Sequence, residues 1–253
     1  MFGEVARLVG RARRILFITG AGISADSGLP TYRGIGGLYE DRGTIDGLSI
    51  EGALSGAVFR VRPDITWKYL AQIESNCRGA HPNRAHEVIA ELERERPFVM
   101  VLTQNVDGFH REAGSQRVLE IHGNLRQLRC TRCRHLEQVP DYGQLVLPPI
   151  CPQCGAAVRP RVVLFGESLP VRELLELQTA LAEGFDLVFS VGTSSVFPYI
   201  VEPVLLAKAQ GRPTVEINPG ETPVSGMVDY RFGMGAAEAM DRLWQEYAAL
   251  RAV

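Results

Sequence analysis

A short apolar run that ends in a glycine-rich turn constrains the fold of this chain more than any other feature. The run Ile15–Ile18 predicts a buried strand, and Gly20 and Gly22 follow where that strand must turn into a helix. Two glycines let a backbone approach a diphosphate closely, and Ala25 is expected to let the helix pack tightly on the strand. The N–H groups at the start of the helix, near Ser24, would then face the anion. Because an ordinary strand-to-helix turn has the same pattern, the motif alone is weak evidence for a nucleotide site.

The loop after this turn carries an aromatic side chain and a permanent cation. Tyr32 and Arg33 lie between Pro30 and Gly34, in a stretch that is too long and too rich in Gly and Pro for a simple connector. Loops of this kind usually carry function. From 34 to 63 the sequence shows little periodicity and many glycines, which predicts a mobile loop with short helices.

Apolar runs of strand length recur along the chain, with helical patterns between them. The 253 residues are enough for one large α/β domain and a smaller attached module. Strands that alternate with helices indicate an α/β fold with a dinucleotide site in outline. The further predicted strands are Val99–Thr103, Val118–Ile121, Leu187–Val191 and Thr214–Ile217, with a β-rich run at Arg161–Glu167 that Gly166 breaks. The predicted helices are Val5–Arg14, Ile65–Ser75, Asn83–Arg94, Val171–Leu181, Val201–Gln210 and Ala237–Leu250.

Polar and glycine-rich residues follow several of these strands. In open α/β sheets, ligands bind beyond the carboxyl ends of the strands, so such residues are candidate contacts. For Asn105 or Asp107 taken singly, an Asx-type helix cap is an equal alternative, whereas three polar residues together favour a ligand site. The candidates are Gln104, Asn105 and Asp107 after one strand, Gly192, Thr193, Ser194 and Ser195 after another, and Asn218, Pro219 and Gly220 after a third.

His122 follows the predicted strand Val118–Ile121 and precedes Gly123. A lone histidine is more often structural than catalytic, because both ring nitrogens can satisfy buried partners. This histidine nevertheless lies at a strand end, as the other candidate residues do. With an ordinary pKa near 6.5, its imidazole is suited to act as a general base near neutral pH.

Two Cys-x-x-Cys pairs are the most specific motif in the sequence. Seventeen residues separate the first pair, Cys130 and Cys133, from the second, Cys151 and Cys154. Four thiolates at this spacing predict a closed, tetrahedral structural zinc site. Paired disulfides are the alternative, which a cytoplasmic setting disfavours. Cys77 lies outside both pairs and is predicted to be an ordinary thiol.

The charge and hydropathy of the chain exclude several classes of partner. A formal net charge of -2 gives no electrostatic footprint for nucleic acid or an anionic membrane. The apolar run Ile15–Thr19 is too short for a signal peptide, and no stretch approaches the roughly 20 apolar residues of a membrane span. We therefore expect a soluble, cytoplasmic protein that binds neither nucleic acid nor membrane.

Taken together, these motifs resemble those of the sirtuin family of NAD-dependent protein-lysine deacylases, in the family's order from about residue 15 to 240. The resemblance implies a doubly wound parallel sheet, Rossmann-like, that forms an NAD-binding domain at 1–33, 99–123 and 158–253. It also implies a small domain made of a helical insert at 34–98 and a zinc ribbon at 124–157. The motifs that carry it are Gly20 to Ser24, Tyr32-Arg33, Gln104 to Asp107, His122-Gly123, the four paired cysteines, Phe165-Gly166-Glu167, Gly192 to Ser194, and Asn218.

The resemblance assigns roles to residues by motif position. His122 would be the general base, and Asn105 and Asp107 would line the nicotinamide and ribose pocket as further catalytic residues. In the family's reaction the acyl oxygen attacks the ribose carbon that releases nicotinamide, so no protein nucleophile is needed. The implied NAD contacts are Gly20, Ala21, Gly22, Ser24, Tyr32, Arg33, Gln104, Asn105, Asp107, Gly192, Thr193, Ser194, Asn218, Pro219, Gly220 and Ala236.

The resemblance also implies an acyl-lysine protein or peptide that adds as a strand, and we expect the enzyme itself to be a monomer. Family members that remove succinyl groups carry a Tyr-x-x-Arg motif, where this chain has Leu70 and Ile73. Neither side chain binds a carboxylate, so we expect a preference for acetyl and longer aliphatic groups. The implied substrate contacts are Leu70, Ile73, Val163, Phe165, Gly166, Glu167 and Val196.

Three alternatives stay open at the level of sequence. Arg60 or Arg62 reaching into the acyl site would favour succinyl removal. An NAD hydrolase or mono-ADP-ribosyltransferase would use the same cleft with water or another nucleophile. A non-catalytic NAD-binding module would need no base, and the presence of His122 with Asn105 and Asp107 argues against it.

Overall fold

A six-stranded parallel sheet forms the centre of the computed structural model, which describes residues 1–31 and 44–252. The strands are β1 (Arg14–Thr19), β2 (Phe98–Thr103), β3 (Val118–Glu120), β4 (Gly123–Cys130), β5 (Leu136–Gln138), β6 (Val158–Val162), β7 (Leu187–Val191), β8 (Thr214–Ile217) and β9 (Tyr230–Phe232). The helices are α1 (Phe2–Arg11), α2 (Ile50–Ala53), α3 (Gly56–Val61), α4 (Pro63–Cys77), α5 (Arg84–Glu95), α6 (Phe109–Glu112), α7 (Val171–Glu183), α8 (Pro198–Ala209) and α9 (Ala236–Arg251).

The strand order places the candidate loops side by side. The order is β3-β2-β1-β7-β8-β9, and Thr19 at the end of β1 lies in register with Thr103 of β2 and Val191 of β7. The chain adds β2 and β3 on one side of β1 and then β7, β8 and β9 on the other, and ligands bind at such a reversal of strand order in doubly wound folds. The loops after β1, β2 and β7 therefore meet at one edge of the sheet.

Both faces of the sheet are covered, which explains the continuous apolar runs. Ile15 and Phe17 point to the face that α1, α5 and α9 cover, whereas Leu16 and Ile18 point to the face that α7 and α8 cover. The Phe17 ring stacks on Phe189 of the neighbouring strand, with ring centroids 4.6 Å apart. The predicted doubly wound fold is confirmed.

Several predicted element bounds were wrong near the start of the chain. Arg14 was placed in the first helix but begins β1, because Ala12 is already extended and the Arg14 side chain donates to the Gly184 carbonyl. The helix after β1 is a seven-residue 3-10 helix, Ala21–Ser27, rather than an α-helix. It ends at Gly28, whose φ of +83° is left-handed. Ala25 was expected to pack on the strand but is exposed in this short helix.

A second, smaller core lies beside the sheet. It combines α2, α3 and α4 with the antiparallel sheet β5-β4-β6. Trp67 of α4 is fully buried there, donates its indole N–H to the Val158 carbonyl at 2.9 Å, and contacts the Tyr142 ring edge-on. The helical insert and the cysteine ribbon thus share one core. The division of the chain into domains at the predicted boundaries stays a prediction.

Within residues 1–31 and 44–252, the helices lack the combined length and apolarity that a membrane crossing requires.

Candidate active site

The glycines after β1 make close backbone contact with the loop after β7. A Cβ on Gly22 would lie 2.7 Å from Gly192 Cα, and a Cβ on Gly20 would lie 2.8 Å from Thr193 Cα. Gly192 itself has φ +59°, and a Cβ there would meet the Ile23 nitrogen at 2.2 Å. The Gly22 N–H donates to the Gly192 carbonyl at 2.8 Å. These glycines therefore let two strand-end loops abut, which fixes the floor of the cleft.

Thr193 ties three of the strand-end loops together. Its hydroxyl accepts a 2.7 Å hydrogen bond from the Gln104 side-chain amide, and its carbonyl accepts one from the Asn218 amide at 2.9 Å. Ser194, next in sequence, is exposed at the same edge. Residues predicted from three separate strand ends are thus brought together.

A buried polar cluster lies under the cleft. Ser24 donates its hydroxyl to Asp107 Oδ2 at 2.9 Å, and the Asn105 amide donates to the Gly20 carbonyl and to the Ser24 hydroxyl at 3.1 and 3.2 Å. Asp107 Oδ1 accepts the Phe109 N–H at 3.0 Å, so this residue also makes the Asx-type contact that was the alternative interpretation. Burial raises the pKa of Asp107. Ser24 thus contacts both Asn105 and Asp107 and links the two side chains.

Two buried histidines extend this cluster, and sequence reasoning missed both. His86 Nε2 lies 3.5 Å from the Ser24 hydroxyl, and His110 Nε2 lies 2.9 Å from the Thr19 hydroxyl. Burial lowers the pKa of His86 to about 4 and that of His110 well below its usual range, so both are neutral at pH 7. The available signal was the position of His86 three residues after Asn83, where its Nδ1 accepts the Asn83 N–H in a capping box.

His122 follows β3 and has both ring nitrogens engaged. Its Nδ1 lies 3.0 Å from the Gln104 carbonyl oxygen, which can only accept, so Nδ1 carries the proton and Nε2 carries the lone pair. Burial lowers the pKa of His122, and the hydrogen bond to Gln104 only partly opposes this effect. At pH 7 the imidazole is neutral, with a basic Nε2, which is the form that a general base requires.

The predicted substrate loop after β6 is anchored within the protein. The Val163 N–H donates to the His122 carbonyl, and Phe165 exchanges backbone hydrogen bonds with Leu54 and Gly56. Glu167 pairs with buried Arg159 at 2.6 Å. The same carboxylate accepts the Leu164 N–H at 2.9 Å. Gly56 packs against the Glu167 side chain, where a Cβ on residue 56 would lie 2.8 Å from Glu167 Cγ. Glu167 therefore shapes this loop, and Gly166, with φ +77°, makes its turn.

On the opposite loop, Val196 is 47% exposed, so its side chain is available to a substrate. It follows Ser195, a non-glycine residue with a positive φ of 50°. This conformation turns the chain out of β7 toward α8.

Leu70 and Ile73, which occupy the positions of the Tyr-x-x-Arg motif, have different surroundings. Ile73 is half-buried and lines a cleft with Ala21, Asn105 and Asp107. Leu70 is only 3% exposed and packs in the small core, apart from the residues that line this cleft. Arg62 pairs with Asp64 at 2.8 Å on the exposed surface.

The remaining predicted cofactor contacts lie at the rim or outside the described residues. Pro219 and Gly220 are exposed on the loop after β8. Ala236 begins α9, whose next N–H, that of Ala237, donates to Asp26 of the 3-10 helix at 2.9 Å. The predicted contacts at Tyr32 and Arg33 fall in 32–43, outside the described residues.

The four paired cysteines converge on one point of the ribbon. Their sulfur atoms all lie within 4.8 Å of one another, with Cys130 to Cys154 at 3.4 Å and Cys133 to Cys151 at 3.6 Å. Zinc–sulfur bonds of about 2.3 Å in a tetrahedron put the sulfurs roughly 3.8 Å apart, so the arrangement fits a zinc ion. Backbone N–H groups of Arg132 and Cys133 point at the Cys130 sulfur and would stabilise its thiolate.

Fold and site together define a doubly wound α/β protein with a cleft at the strand ends, a neutral histidine at one strand end and a four-cysteine ribbon. The Sir2 family model matches residues 20–198. With this match, and with the relatives described next, the chain belongs to the Sir2 family.

Relatives and solved structures align over nearly the whole chain. NAD-dependent protein deacylase 2 of Pseudomonas aeruginosa is 50% identical over 249 residues and covers 94% of each chain. Its counterpart in Pseudomonas syringae pv. tomato is 50% identical and covers 95% of this chain and 98% of its own. A crystal structure of a Sir2 homologue–NAD complex is 34% identical with a TM-score of 0.88, covering 98% of this chain and 94% of that one. A Sir2–p53 peptide–NAD+ structure is 30% identical with a TM-score of 0.83, covering 98% and 99%.

Proposed function

We propose that this protein is an NAD-dependent protein-lysine deacylase that acts mainly on acetyl and other neutral acyl groups. The observation that carries the proposal is the position of His122, whose Nε2 is basic and lies at the same sheet edge as the buried Ser24–Asn105–Asp107 cluster. The 50% identity to proteins named NAD-dependent protein deacylase supports the same activity.

Residues of four loops would hold NAD. We assign the floor of the diphosphate site to the packed glycines Gly20, Gly22 and Gly192, and the ribose contacts to Thr193 and Asn218. When bound, NAD supplies an electrophilic ribose carbon and nicotinamide as the leaving group. The further assigned contacts are Ala21, Ser24, Tyr32, Arg33, Gln104, Asn105, Asp107, Ser194, Pro219, Gly220 and Ala236.

The side chains of the chain itself would orient the reactants and move one proton. Asp107 and Asn105 hold the nicotinamide pocket rigid, because each is buried and hydrogen-bonded to Ser24. His122 Nε2 accepts the proton of a ribose hydroxyl, while its Nδ1–H stays on the Gln104 carbonyl and keeps the ring in place. The expected products are free lysine, nicotinamide and O-acyl-ADP-ribose.

The acyl-lysine substrate would lie as a strand between two loops. Val163, Phe165, Gly166 and Glu167 form one side, and Val196 forms the other. The Sir2–p53 peptide–NAD+ relative binds a peptide, which supports peptide or protein substrates here. Backbone pairing of this kind binds many sequences.

The preference for neutral acyl groups rests on Ile73. This aliphatic residue lines the cleft at the position where family members that remove succinyl groups carry the arginine of Tyr-x-x-Arg. Leu70, at the position of the tyrosine, is also aliphatic. Arg62, one of the two cations considered for succinyl binding together with Arg60, is paired with Asp64. Aliphatic walls bind acetyl and longer alkyl chains through burial of apolar surface.

Zinc would act as a structural ion held by Cys130, Cys133, Cys151 and Cys154. We further propose a cytoplasmic monomer that binds neither nucleic acid nor membrane, in keeping with a net charge of -2. Light scattering on the purified protein tests whether it is a monomer. A DNA-binding assay at low salt tests whether it binds nucleic acid.

The test of the proposed function is nicotinamide release from NAD by the purified protein. Matched acetyl-, decanoyl- and succinyl-lysine peptides are compared with an unmodified peptide and with no peptide. Release that requires acetyl- or decanoyl-lysine supports the proposal. Equal release with and without peptide would indicate an NAD hydrolase, and a preference for succinyl-lysine would overturn the acyl assignment.

A further inference from the structure

Tyr199 contacts the nitrogen of His122 that the reaction needs. Its hydroxyl lies 2.7 Å from His122 Nε2. Since Nδ1 carries the proton on His122, Nε2 is the acceptor and the Tyr199 O–H is the donor. Tyr199 was not among the residues predicted from the sequence.

The start of α8 holds the Tyr199 ring in place. Pro198 is the first residue of this helix, and Phe197 caps it. The Phe197 and Tyr199 rings stack with centroids 5.5 Å apart, and both meet the His122 ring edge-on at 6.1 and 6.0 Å. Tyr199 itself is half-buried.

Within residues 1–31 and 44–252, the groups that contact the His122 ring come from two loops. They are the Gln104 carbonyl after β2, and the Phe197 and Tyr199 rings after β7. Of these, Tyr199 alone titrates, and burial raises its pKa to about 12. Tyr199 is therefore a protonated, uncharged hydrogen-bond donor throughout the neutral range.

We propose that Tyr199 is a positioning residue for the acyl-transfer step, which occupies the Nε2 lone pair of His122 in the resting enzyme and yields it to the substrate hydroxyl. This inference rests on the proposed function. One lone pair accepts one strong hydrogen bond, so the tyrosine hydroxyl and a ribose hydroxyl compete for it. Once the substrate hydroxyl takes this place, its proton passes to Nε2 and His122 becomes an imidazolium, still donating Nδ1–H to Gln104.

Tyr199→Phe keeps the aromatic stack and removes only the competing hydroxyl. An O–H donated to Nε2 stabilises the neutral imidazole, so the variant raises the pKa of His122, by about half a unit to one unit for a hydrogen bond of ordinary strength. NMR titration of the histidine ring signals measures this pKa, with His122→Asn to assign the resonance. At pH values above the His122 pKa of the variant, acyl transfer to ADP-ribose is expected to be about 2- to 10-fold faster in Tyr199→Phe than in the wild type.

The matched control is Tyr230→Phe, which removes the same atom from β9. It leaves the His122 pKa and the acyl-transfer rate unchanged. Exchange of labelled nicotinamide into NAD precedes the step that uses the base, so Tyr199→Phe also leaves this exchange unchanged. Thermal unfolding of each variant checks that it is folded.

Two results would overturn the inference while the proposed function stands. They are an unchanged His122 pKa in Tyr199→Phe, and an acyl-transfer rate that falls in this variant at constant nicotinamide exchange. Wild-type protein that shows no acyl-peptide-dependent chemistry would instead remove the proposed function, and with it any role of Tyr199 in catalysis, even if the pKa of His122 shifts.

Discussion

Ser24 and Asp107 lie 83 positions apart in sequence and are joined by a 2.9 Å hydrogen bond from the serine hydroxyl to Oδ2 of the aspartate. The bond links the 3-10 helix after β1 to the loop after β2. It satisfies a carboxylate whose only other described hydrogen-bond donor is the Phe109 N–H. Because Asp107 is buried and lines the cleft, its ionisation affects the free energy of unfolding as well as the charge in the cleft.

Asp107→Asn is expected to change how stability depends on pH. Burial raises the pKa of Asp107 above 3.8, so the folded protein holds this proton more tightly than the unfolded chain. The resulting stabilisation is present at low pH and is lost as the pH rises through the raised folded pKa. Asparagine does not titrate. The free energy of unfolding of the variant minus that of the wild type should therefore increase as the pH rises. Urea unfolding at several pH values measures this difference, and a difference that falls with pH would contradict the expectation.

Cys151→Ser is expected to remove zinc and destabilise the small core, in which Cys151 is buried. Structural zinc contributes several kcal/mol to folding, so the melting temperature should fall by about 10 °C or more. Metal analysis and thermal unfolding measure the two effects. The matched control is Cys77→Ser, a thiol outside the metal cluster, which should keep one zinc per chain. Full zinc content in Cys151→Ser would refute the four-thiolate site.

Glu216→Ala is expected to weaken NAD binding without slowing the chemical steps. The Glu216 carboxylate is fully buried and accepts hydrogen bonds from Thr222, Ser225 and Arg231. Arg231 in turn donates to the Gly220 carbonyl, so Glu216 holds the loop that follows Asn218. Loss of this acceptor leaves three half-buried donors unpaired and frees the loop to shift, so we expect roughly a 10-fold higher KM for NAD.

Steady-state kinetics at saturating peptide separate KM from kcat in this variant. Glu221→Ala, an exposed carboxylate on the same loop, is the matched control and should leave both constants unchanged. A fall in kcat with an unchanged KM for NAD would assign Glu216 a different role.

Ile73→Arg is expected to admit acidic acyl groups. Ile73 lines the cleft, and a guanidinium there can pair with the distal carboxylate of succinyl-lysine. A charge-assisted hydrogen bond of about 1.5–3 kcal/mol predicts at least a roughly 10-fold rise in the ratio of succinyl to acetyl removal. Ile73→Met, an uncharged side chain of similar reach, should leave the ratio where it is. Equal ratios in the two variants would place the acyl group elsewhere.

The sequence predicted some elements closely because local patterns determine them. β7 and β8 have the predicted bounds, since each carries β-branched or aromatic residues and is buried on both faces of the sheet. The four cysteines were found because metal ligation fixes their spacing. β9 was missed, because Tyr230-Arg231-Phe232 is a three-residue edge strand of mixed polarity.

Contacts between distant segments could not be predicted from local patterns. Ser24 was expected near an anion, and its contacts with Asp107 and Asn105, which come from another loop, could not be predicted from its own segment. The contact of Tyr199 with His122 likewise depends on where the start of α8 meets the end of β3. Hydrophobic periodicity predicts the helix or strand to which a residue belongs. It does not predict which ends of distant helices and strands come into contact.

The most direct test of the central claim is to identify where the acyl group goes. Mass spectrometry follows a carbon-13-labelled acetyl-lysine peptide incubated with NAD and the purified protein, beside the His122→Ala variant. Labelled O-acetyl-ADP-ribose, nicotinamide and free lysine are expected in equal amounts, with acyl transfer collapsing in the variant. Labelled free acetate without any acylated ADP-ribose, or full acyl transfer by His122→Ala, would contradict it.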